Sequence, residues 1–266
     1  MSELPSWVEE LRFSRKEKIF GKNIFFLKET DSTNLQARRH AMRGAEEGRI
    51  ILAESQSQGR GRRGRVWESP PGVNLYFSLL LRPFIPWVQA PQITLLAGVA
   101  GANALSKISG LEARIKWPND IMIHGKKVGG ILSEAEAEGS RIRFIILGVG
   151  INVNWRKEDW PAELGKTATS LFAEAKREIS RARVAAQFFE EWESRYGLFQ
   201  KEGWSPLLGA EWNRLSWVNG KNAVISMLDE KFSGQVLGLD TDGALLLMNS
   251  AGKTQRFIAG DVSLRV

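Results

Sequence analysis

The chain has 266 residues, 43% of them hydrophobic, and a formal net charge of +7 at pH 7, so it can bury a substantial core and suits one large domain with a small one. It contains no cysteine, which excludes disulfides, thiolate metal sites and a cysteine nucleophile and favours a cytoplasmic location. The longest uncharged stretch, 83–106, contains three prolines, which excludes a membrane span.

The first 22 residues are polar and charged, and we interpret them as a short N-terminal leader. Hydrophobic periodicity then predicts the elements that follow. They are a strand at 23–29, a helix that begins at Asp31 or Ser32 and ends near Gly44, strands at 49–54 and 73–82, a helix at 93–107, and strands at 112–117, 120–123, 128–136 and 141–153. Short connections between the strands favour a mixed, largely antiparallel sheet with helices, and therefore an α+β fold.

The C-terminal part of the chain has a different pattern. A loop at 154–169 precedes a long amphipathic helix capped by Ser180 and a second helix at 205–214. The segments that follow predict a small SH3-like β-barrel with strands at 223–227, 232–239, 244–248 and 255–259. We therefore expect three parts: a leader at 1–22, a main domain at 23–218 and the barrel at 219–266.

The most informative stretch is GRGRRGR at 59–65, in which four arginines alternate with three glycines. Arginine offers a fixed fork of donors for carboxylate and phosphate, and glycine lets the backbone approach a ligand. The stretch therefore predicts an anion-binding loop, and repulsion among its arginines predicts that it is mobile until an anion binds. Taken alone, it also fits a solvated basic loop or an RNA-binding segment.

Five segments, in this order, resemble those of the biotin protein ligases. They are DSTN at 31–34, ESQSQGRGRRGRVW at 54–67, KWPNDI at 116–121, KKVGGIL at 126–132 and LGVGINVN at 147–154. The chain ends in GDVSLRV, which resembles the end of that family's C-terminal barrel. The resemblance covers 23–266 and implies that 23–218 is a catalytic domain of the class II aminoacyl-tRNA synthetase and biotin ligase type.

Members of that family are ATP-dependent ligases that form a carbon–nitrogen bond. The resemblance implies biotin, ATP and Mg²⁺ as substrates and cofactors, with biotinoyl-5′-AMP as the intermediate. It also implies transfer of biotin to a lysine of a biotin carboxyl carrier protein or of a carrier domain in a carboxylase. The first step brings a carboxylate against a polyanion, so fixed cations and positioning are needed and a protein nucleophile is not.

The resemblance also assigns individual residues. Those expected to contact biotin are Ser32, Thr33, Asn34, Gln56, Arg60, Gly61, Arg62, Lys127, Gly129 and Gly130. Those expected to contact ATP or the adenylate are Arg60, Arg62, Arg65, Trp67, Lys116, Asn119, Asp120, Asn152 and Arg265. Lys116, Lys127 and Arg62 are the expected catalytic residues. No dedicated metal site is expected, and Asp120 is the candidate neighbour of the Mg²⁺ that arrives with ATP.

Simpler interpretations of single residues stay open beside these roles. Ser32 could only cap its helix, and Trp67 could only fill the core. The glycines at 129, 130, 148 and 150 are expected to let the sheet backbone line a narrow biotin channel.

Other functions remain as alternatives at this stage. A lipoate or octanoate ligase of the same fold is the nearest, although GRGRRGR together with KWPND favours biotin. A nucleic-acid-binding module would need a second basic cluster, and the sequence has none of comparable density. Because only 22 residues precede the expected catalytic domain, we expect no repressor domain. We also expect no nucleic-acid or membrane partner, since no second basic cluster and no membrane span are found.

Three questions are left open by the sequence. The family suggests a homodimer, but the residues do not fix the oligomeric state. They do not identify the acceptor carboxylase. The loop at 154–169 either covers the adenylate or forms an interface.

Overall fold

Seven strands form one mixed sheet in the computed structural model, which describes residues 4–139, 141–227 and 230–264. In chain order the strands are β1 (Ile24–Leu27), β2 (Ile50–Ala53), β3 (Leu75–Leu81), β4 (Ala113–Lys116), β5 (Asp120–Ile123), β6 (Lys126–Glu138) and β7 (Arg141–Ile151). Their order in the sheet is β1-β2-β3-β7-β6-β5-β4. Only the β1–β2 pair is parallel among these strands. The predicted α+β fold with a largely antiparallel sheet is therefore confirmed.

Six α-helices are present among the described residues. They are α1 (Ser6–Arg15), α2 (Thr33–Met42), α3 (Ala90–Ser109), α4 (Leu171–Ala175), α5 (Arg181–Glu202) and α6 (Pro206–Leu215). The Ser180 hydroxyl caps α5 by accepting a hydrogen bond from the backbone N–H of Arg183, as its position before the helix predicts. None of the helices in these ranges combines the length and apolar character needed to cross a membrane.

The two faces of the sheet have different coverings, and this difference positions the site. Helix α5 packs on one face, where Phe77 of β3 contacts the rings of Phe188 and Phe189. Helix α2 packs on the other face, where Ala37 and Ala41 join a cluster with Leu80 of β3. Because side chains alternate along a strand, every second residue of β3, β6 and β7 faces the α2 side. All seven residues of β3 are buried, since the strand is covered on both faces.

Helix α3 lies close against the strands because glycines replace larger side chains along it. A Cβ on Gly101 would lie 2.4 Å from Cδ1 of Ile121, and a Cβ on Gly98 would lie 3.3 Å from Cγ2 of Ile115. This close approach is possible because glycine carries no side chain at these two positions.

The N-terminal segment differs from the predicted leader, because residues 6–15 form α1 and pack against α5. Val8 and Leu11 are fully buried. Arg12 donates to the carbonyl of Ile24 at 2.6 Å, and Arg15 forms an ion pair with Glu193. The apolar positions are too few and too closely surrounded by charges for periodicity to predict this helix.

Five antiparallel strands form a second, C-terminal sheet. They are β8 (Asn222–Met227), β9 (Glu230–Leu239), β10 (Leu245–Met248), β11 (Thr254–Phe257) and β12 (Asp261–Leu264), in the order β11-β10-β9-β8-β12. The last strand, within GDVSLRV, was not among the four predicted. Closure of this sheet into an SH3-like barrel, and the boundaries of the three expected parts, remain predictions. Arg265 lies outside the described residues.

Candidate active site

A cavity of about 630 Å³ opens between the sheet and the C-terminal strands. Its walls come from the start of α2, the loop after β2, strands β4 to β7, and β12. Its volume is in the range of pockets that bind small molecules or cofactors.

The cavity brings together almost all of the residues that the sequence analysis assigned to a site. The predicted residues that line it are Ser32, Thr33, Asn34, Gln56, Arg60, Gly61, Arg62, Arg65, Trp67, Lys116, Asn119, Asp120, Lys127, Gly130 and Asn152. Gly148 and Gly150 line it as well. Their meeting in one cavity is a finding of the structure, whereas the role of each residue stays a prediction.

Gly129 is the one described residue of this set that does not line the cavity. A Cβ at this position would lie 3.4 Å from Cδ1 of Ile121, which itself contacts Gly101 of α3. Strand alternation therefore turns Gly129 towards the core, while its neighbour Gly130 faces the cavity. Gly129 is not among the residues that line the cavity, and its predicted contact with biotin stays a prediction.

The loop of residues 59–65, here called the arginine loop, forms a tight hairpin. The backbone N–H of Trp67 donates to the carbonyl of Gly59 at 2.9 Å, and that of Gly61 donates to the carbonyl of Arg65 at 2.7 Å. A Cβ on Gly59 would lie 2.1 Å from the Trp67 carbonyl oxygen, so this close pairing requires glycine.

Three arginines of the loop converge on a single carboxylate, Asp261 at the start of β12. Asp261 lies 3.0 Å from Arg62, 3.1 Å from Arg63 and 3.5 Å from Arg65, measured between guanidinium nitrogen and carboxylate oxygen. Arg62 also donates to the side-chain oxygen of Asn119 at 3.1 Å. The predicted mutual repulsion is thus offset by a countercharge 196 or more residues away in the sequence, which sequence reasoning did not identify although Asp261 lies within GDVSLRV.

The charge state of Arg62 follows from these surroundings. Burial lowers the pKa of the Arg62 guanidinium below its ordinary value, and Arg63 and Arg65 act in the same direction. Asp261 and Asp120 oppose the shift. The guanidinium stays protonated at neutral pH, because arginine begins from a pKa far above 7.

Removing the countercharge should loosen the arginine loop. For Asp261→Asn we expect cleavage of the loop by trypsin to accelerate about three- to tenfold, because three ion pairs are weakened together. Asp242→Asn is the matched control, since Asp242 also pairs with an arginine of the C-terminal sheet, Arg256 at 2.6 Å. Equal cleavage rates for the two variants and the parent chain would contradict the assigned role of Asp261.

The start of α2 holds a buried network of hydrogen bonds. The backbone N–H of Thr33 donates to the Gln56 side-chain oxygen at 2.8 Å, and the Gln56 amide donates to Ser69 at 2.9 Å. The Ser78 hydroxyl lies 2.8 Å from that of Thr33 and 2.6 Å from Oδ1 of Asn34. Ser78 is fully buried and was missed by the sequence analysis, because it is one polar residue within an apolar strand.

Ser32 occupies the position before α2 that was predicted for a cap. Its side chain makes no capping hydrogen bond. The buried Ser32 hydroxyl is therefore left for another partner, and the capping interpretation of its side chain is not supported.

The floor of the cavity is made of glycine backbone covered by the Trp67 indole. A Cβ on Gly150 would lie 2.4 Å from Cε2 of Trp67, and one on Gly130 would lie 2.8 Å from its Cζ3. Lys127 places its ammonium 5.3 Å from the centre of the Trp67 ring and 2.6 Å from Oδ1 of Asp120. Trp67 is half-buried at the cavity surface, and its indole N–H has no hydrogen-bond partner among the residues that the structure describes.

Two asparagines that the sequence analysis assigned to the site form hydrogen bonds within the protein. Asn119 donates to the carbonyl of Ile131 at 2.9 Å, and Asn152 donates to the carbonyl of Thr169 at 3.0 Å. Asn152 is buried, and its amide joins the end of β7 to the loop at 154–169. Trp155 and residues 164, 166, 167 and 168 of that loop line the cavity. The loop thus borders the site.

Three acidic side chains line the cavity, Glu68, Asp120 and Asp261. Across the ranges that the structure describes, no group of three histidine, cysteine, aspartate or glutamate side chains is arranged to hold a metal ion. The Asp120 carboxylate in the cavity is already paired with Lys127. The arrangement is suited to binding anions through cations and backbone, with hydrogen-bonding groups at the α2 end.

Comparison with known proteins places these features in a family. Residues 26–152 match the Biotin/lipoate A/B protein ligase family, and residues 220–265 match the Biotin protein ligase C terminal domain. The bifunctional ligase/repressor BirA of Bacillus subtilis is 39% identical over 255 residues, which cover 96% of this chain and 78% of that relative. The biotin–(acetyl-CoA-carboxylase) ligase of Paracoccus denitrificans is 32% identical over 85% of this chain and 95% of its own length.

A solved structure shows the same fold. The biotin protein ligase from Aquifex aeolicus in complex with biotin and ATP superposes with a TM-score of 0.78 and 30% sequence identity. The match covers 92% of this chain and 99% of that one.

Proposed function

Because the chain belongs to the biotin/lipoate A/B protein ligase family, we propose that it activates biotin with ATP and transfers it to a lysine of a biotin carrier domain. It is a ligase. The observation that carries the biotin assignment is the cavity itself. Its lining combines the hydrogen-bonding groups of residues 32–34 and Gln56 with arginine and lysine cations.

The reaction has two balanced steps. A biotin carboxylate oxygen attacks the α-phosphorus of ATP, forming biotinoyl-5′-AMP and releasing pyrophosphate. The neutral amine of an acceptor lysine then attacks the activated carbonyl, so that an amide forms, the acyl–phosphate bond breaks, and AMP and a proton leave. Both steps develop negative charge on phosphate oxygens, which fixed cations stabilise.

The chain supplies those cations from three directions. Arg60 and Arg62 lie in the arginine loop, Lys116 at the end of β4, and Lys127 at the start of β6. We assign Arg62, Lys116 and Lys127 to the reacting phosphate and Arg60 to the biotin carboxylate. Trp67 and Arg65 are assigned to the adenylate, and Arg265 keeps its predicted place on the nucleotide side.

Magnesium enters this scheme as part of the substrate. ATP is bound as its Mg²⁺ complex, which partly neutralises the triphosphate before attack. Asp120 remains the candidate neighbour of that ion. Asn119 and Asn152 are assigned to holding the nucleotide side of the cavity, given the internal hydrogen bonds that fix both amides.

The partner in this proposal is a carrier domain of a carboxylase, as the name of the Paracoccus relative suggests. The reaction is proposed to take place in the cytoplasm, with no part assigned to nucleic acid or to a membrane.

Separate incubations with biotin and with lipoate distinguish a biotin ligase from a lipoate ligase, the nearest alternative. The chain is incubated with Mg²⁺–ATP, a purified carrier domain and either biotin or lipoate, and the carrier is weighed by mass spectrometry. We expect one biotin per carrier, and none on a carrier whose acceptor lysine is replaced by arginine. Addition of lipoate in preference to biotin would transfer the assignment to a lipoate ligase.

A further inference from the structure

Glu134 of β6 is a carboxylate that joins two parts of the site and that no step of the proposed reaction uses. One of its oxygens lies 2.7 Å from the side-chain amide nitrogen of Asn34 at the start of α2. Its other oxygen lies 3.0 Å from a guanidinium nitrogen of Arg60 in the arginine loop. A single side chain thus links a residue at the start of α2 with an arginine of the arginine loop.

The Asn34 side of this bridge is rigid. The Asn34 amide is buried, accepts from Ser78 at 2.6 Å, and donates to the carbonyl of Leu132 at 3.3 Å as well as to Glu134. The Asn34 side chain packs against Gly148, where an added Cβ would lie only 2.1 Å from Asn34 Oδ1. Both amide hydrogens therefore have acceptors within the protein, which makes Asn34 an anchor for Glu134.

The Arg60 side of the bridge is adaptable. Its side chain is 45% exposed and extends from a glycine-rich hairpin, so without a partner it would sample many rotamers. The Glu134 carboxylate engages one terminal nitrogen of the guanidinium, and the remaining donors of the fork stay available for a ligand. Holding an arginine in place before a ligand arrives reduces the entropy that binding must remove.

We propose that Glu134 is a positioning residue that places Arg60 for the carboxylate of biotin and fixes it relative to the α2 end of the cavity. This inference rests on the proposed function. It explains why a carboxylate lies beside a site for two anionic substrates, where its direct effect on them would be repulsive.

The chain offers a matched control on the same strand. Glu136 lies two residues further along β6, on the same face, and pairs with Arg38 of α2 at 2.5 Å. The side chains of Glu134 and Glu136 are 28% and 29% exposed. The Arg38–Glu136 pair lies outside the cavity lining, so Glu136→Gln removes an equivalent ion pair without touching the site.

The test measures biotin-dependent pyrophosphate release for Glu134→Gln and Glu136→Gln, with rates expressed per active site. Glutamine can still accept from Asn34 but no longer carries the charge that holds Arg60. We expect kcat/KM for biotin to fall roughly tenfold in Glu134→Gln, the loss of one charge-assisted contact. We expect KM for ATP in that variant, and all constants in Glu136→Gln, to stay within about twofold.

A double-mutant cycle identifies the residue through which Glu134 acts. If it acts by placing Arg60, the Arg60→Gln and Glu134→Gln changes are strongly non-additive, and the double variant is no slower than Arg60→Gln alone. Additive losses, or equal constants for Glu134→Gln and Glu136→Gln, would overturn the inference. A parent chain that releases no pyrophosphate with biotin would instead refute the proposed function, so the two failures are distinguishable.

Discussion

Replacing Lys127 with glutamine is expected to slow formation of the adenylate by about 10²–10³-fold while leaving the fold intact. The Lys127 ammonium is held 2.6 Å from Asp120 and 5.3 Å from the centre of the Trp67 ring, and its side chain is only 32% exposed. It is therefore a cation already held in place where we propose that negative charge develops. Its removal also leaves the Asp120 carboxylate unpaired beside the phosphates, which adds repulsion.

The neighbouring residue is the control for Lys127. Lys126 belongs to the same strand but does not line the cavity, so Lys126→Gln removes the same charge with little change in local shape. Pyrophosphate release under saturating biotin and Mg²⁺–ATP is the measurement. Similar rates for the two variants would mean that general positive charge, and not the placement of Lys127, supports the reaction.

Gly150→Ala is the second change expected to have a large effect. The added methyl group would lie 2.4 Å from Cε2 and 2.6 Å from Nε1 of Trp67, so the indole must move away from the cavity floor. We expect biotin affinity to fall at least about tenfold, with an overpacking cost to the free energy of unfolding of about 1–3 kcal/mol. Calorimetric titration with biotin and thermal unfolding measure the two effects.

Two further variants isolate the contact with Trp67. Gly197→Ala in α5 introduces the same methyl group where nothing lies within 4 Å of it, and alanine in place of glycine inside a helix should stabilise the chain by about 1 kcal/mol. Combining Gly150→Ala with Trp67→Ala relieves the collision. If this double variant unfolds at no higher a temperature than Gly150→Ala alone, a clash with the indole does not cause the loss of stability in Gly150→Ala.

Local pattern was sufficient to predict most of the main sheet. Strand β3 and helices α2, α3 and α5 lie within a few residues of their predicted positions, because each combines clear periodicity with a turn or cap. Helix α1 was missed because burial of Val8 and Leu11 depends on α5, far away in the sequence. Periodicity carries little information when tertiary packing supplies most of a helix's stability.

The residues of the site fall into two groups, those that could be predicted from the sequence and those that could not. Those within the five motifs could be predicted, since their order and spacing resemble a known family, and the structure brings nearly all of them to one cavity. Asp261, Ser78 and Glu134 could not, because each acts on a motif residue brought close only by the fold. Gly130 lines the cavity and its neighbour Gly129 does not, a difference that the motif alone does not specify because it contains two adjacent glycines.

The most direct test of the ligase mechanism is a rapid-mixing measurement of pyrophosphate with biotin and Mg²⁺–ATP but no acceptor. We expect a burst that approaches one pyrophosphate per chain and then stops, because the adenylate stays bound until an acceptor lysine arrives. Addition of the carrier domain should then release AMP and restart turnover. No burst with biotin, or an equal burst with lipoate in its place, would contradict the assignment of this cavity to biotin activation.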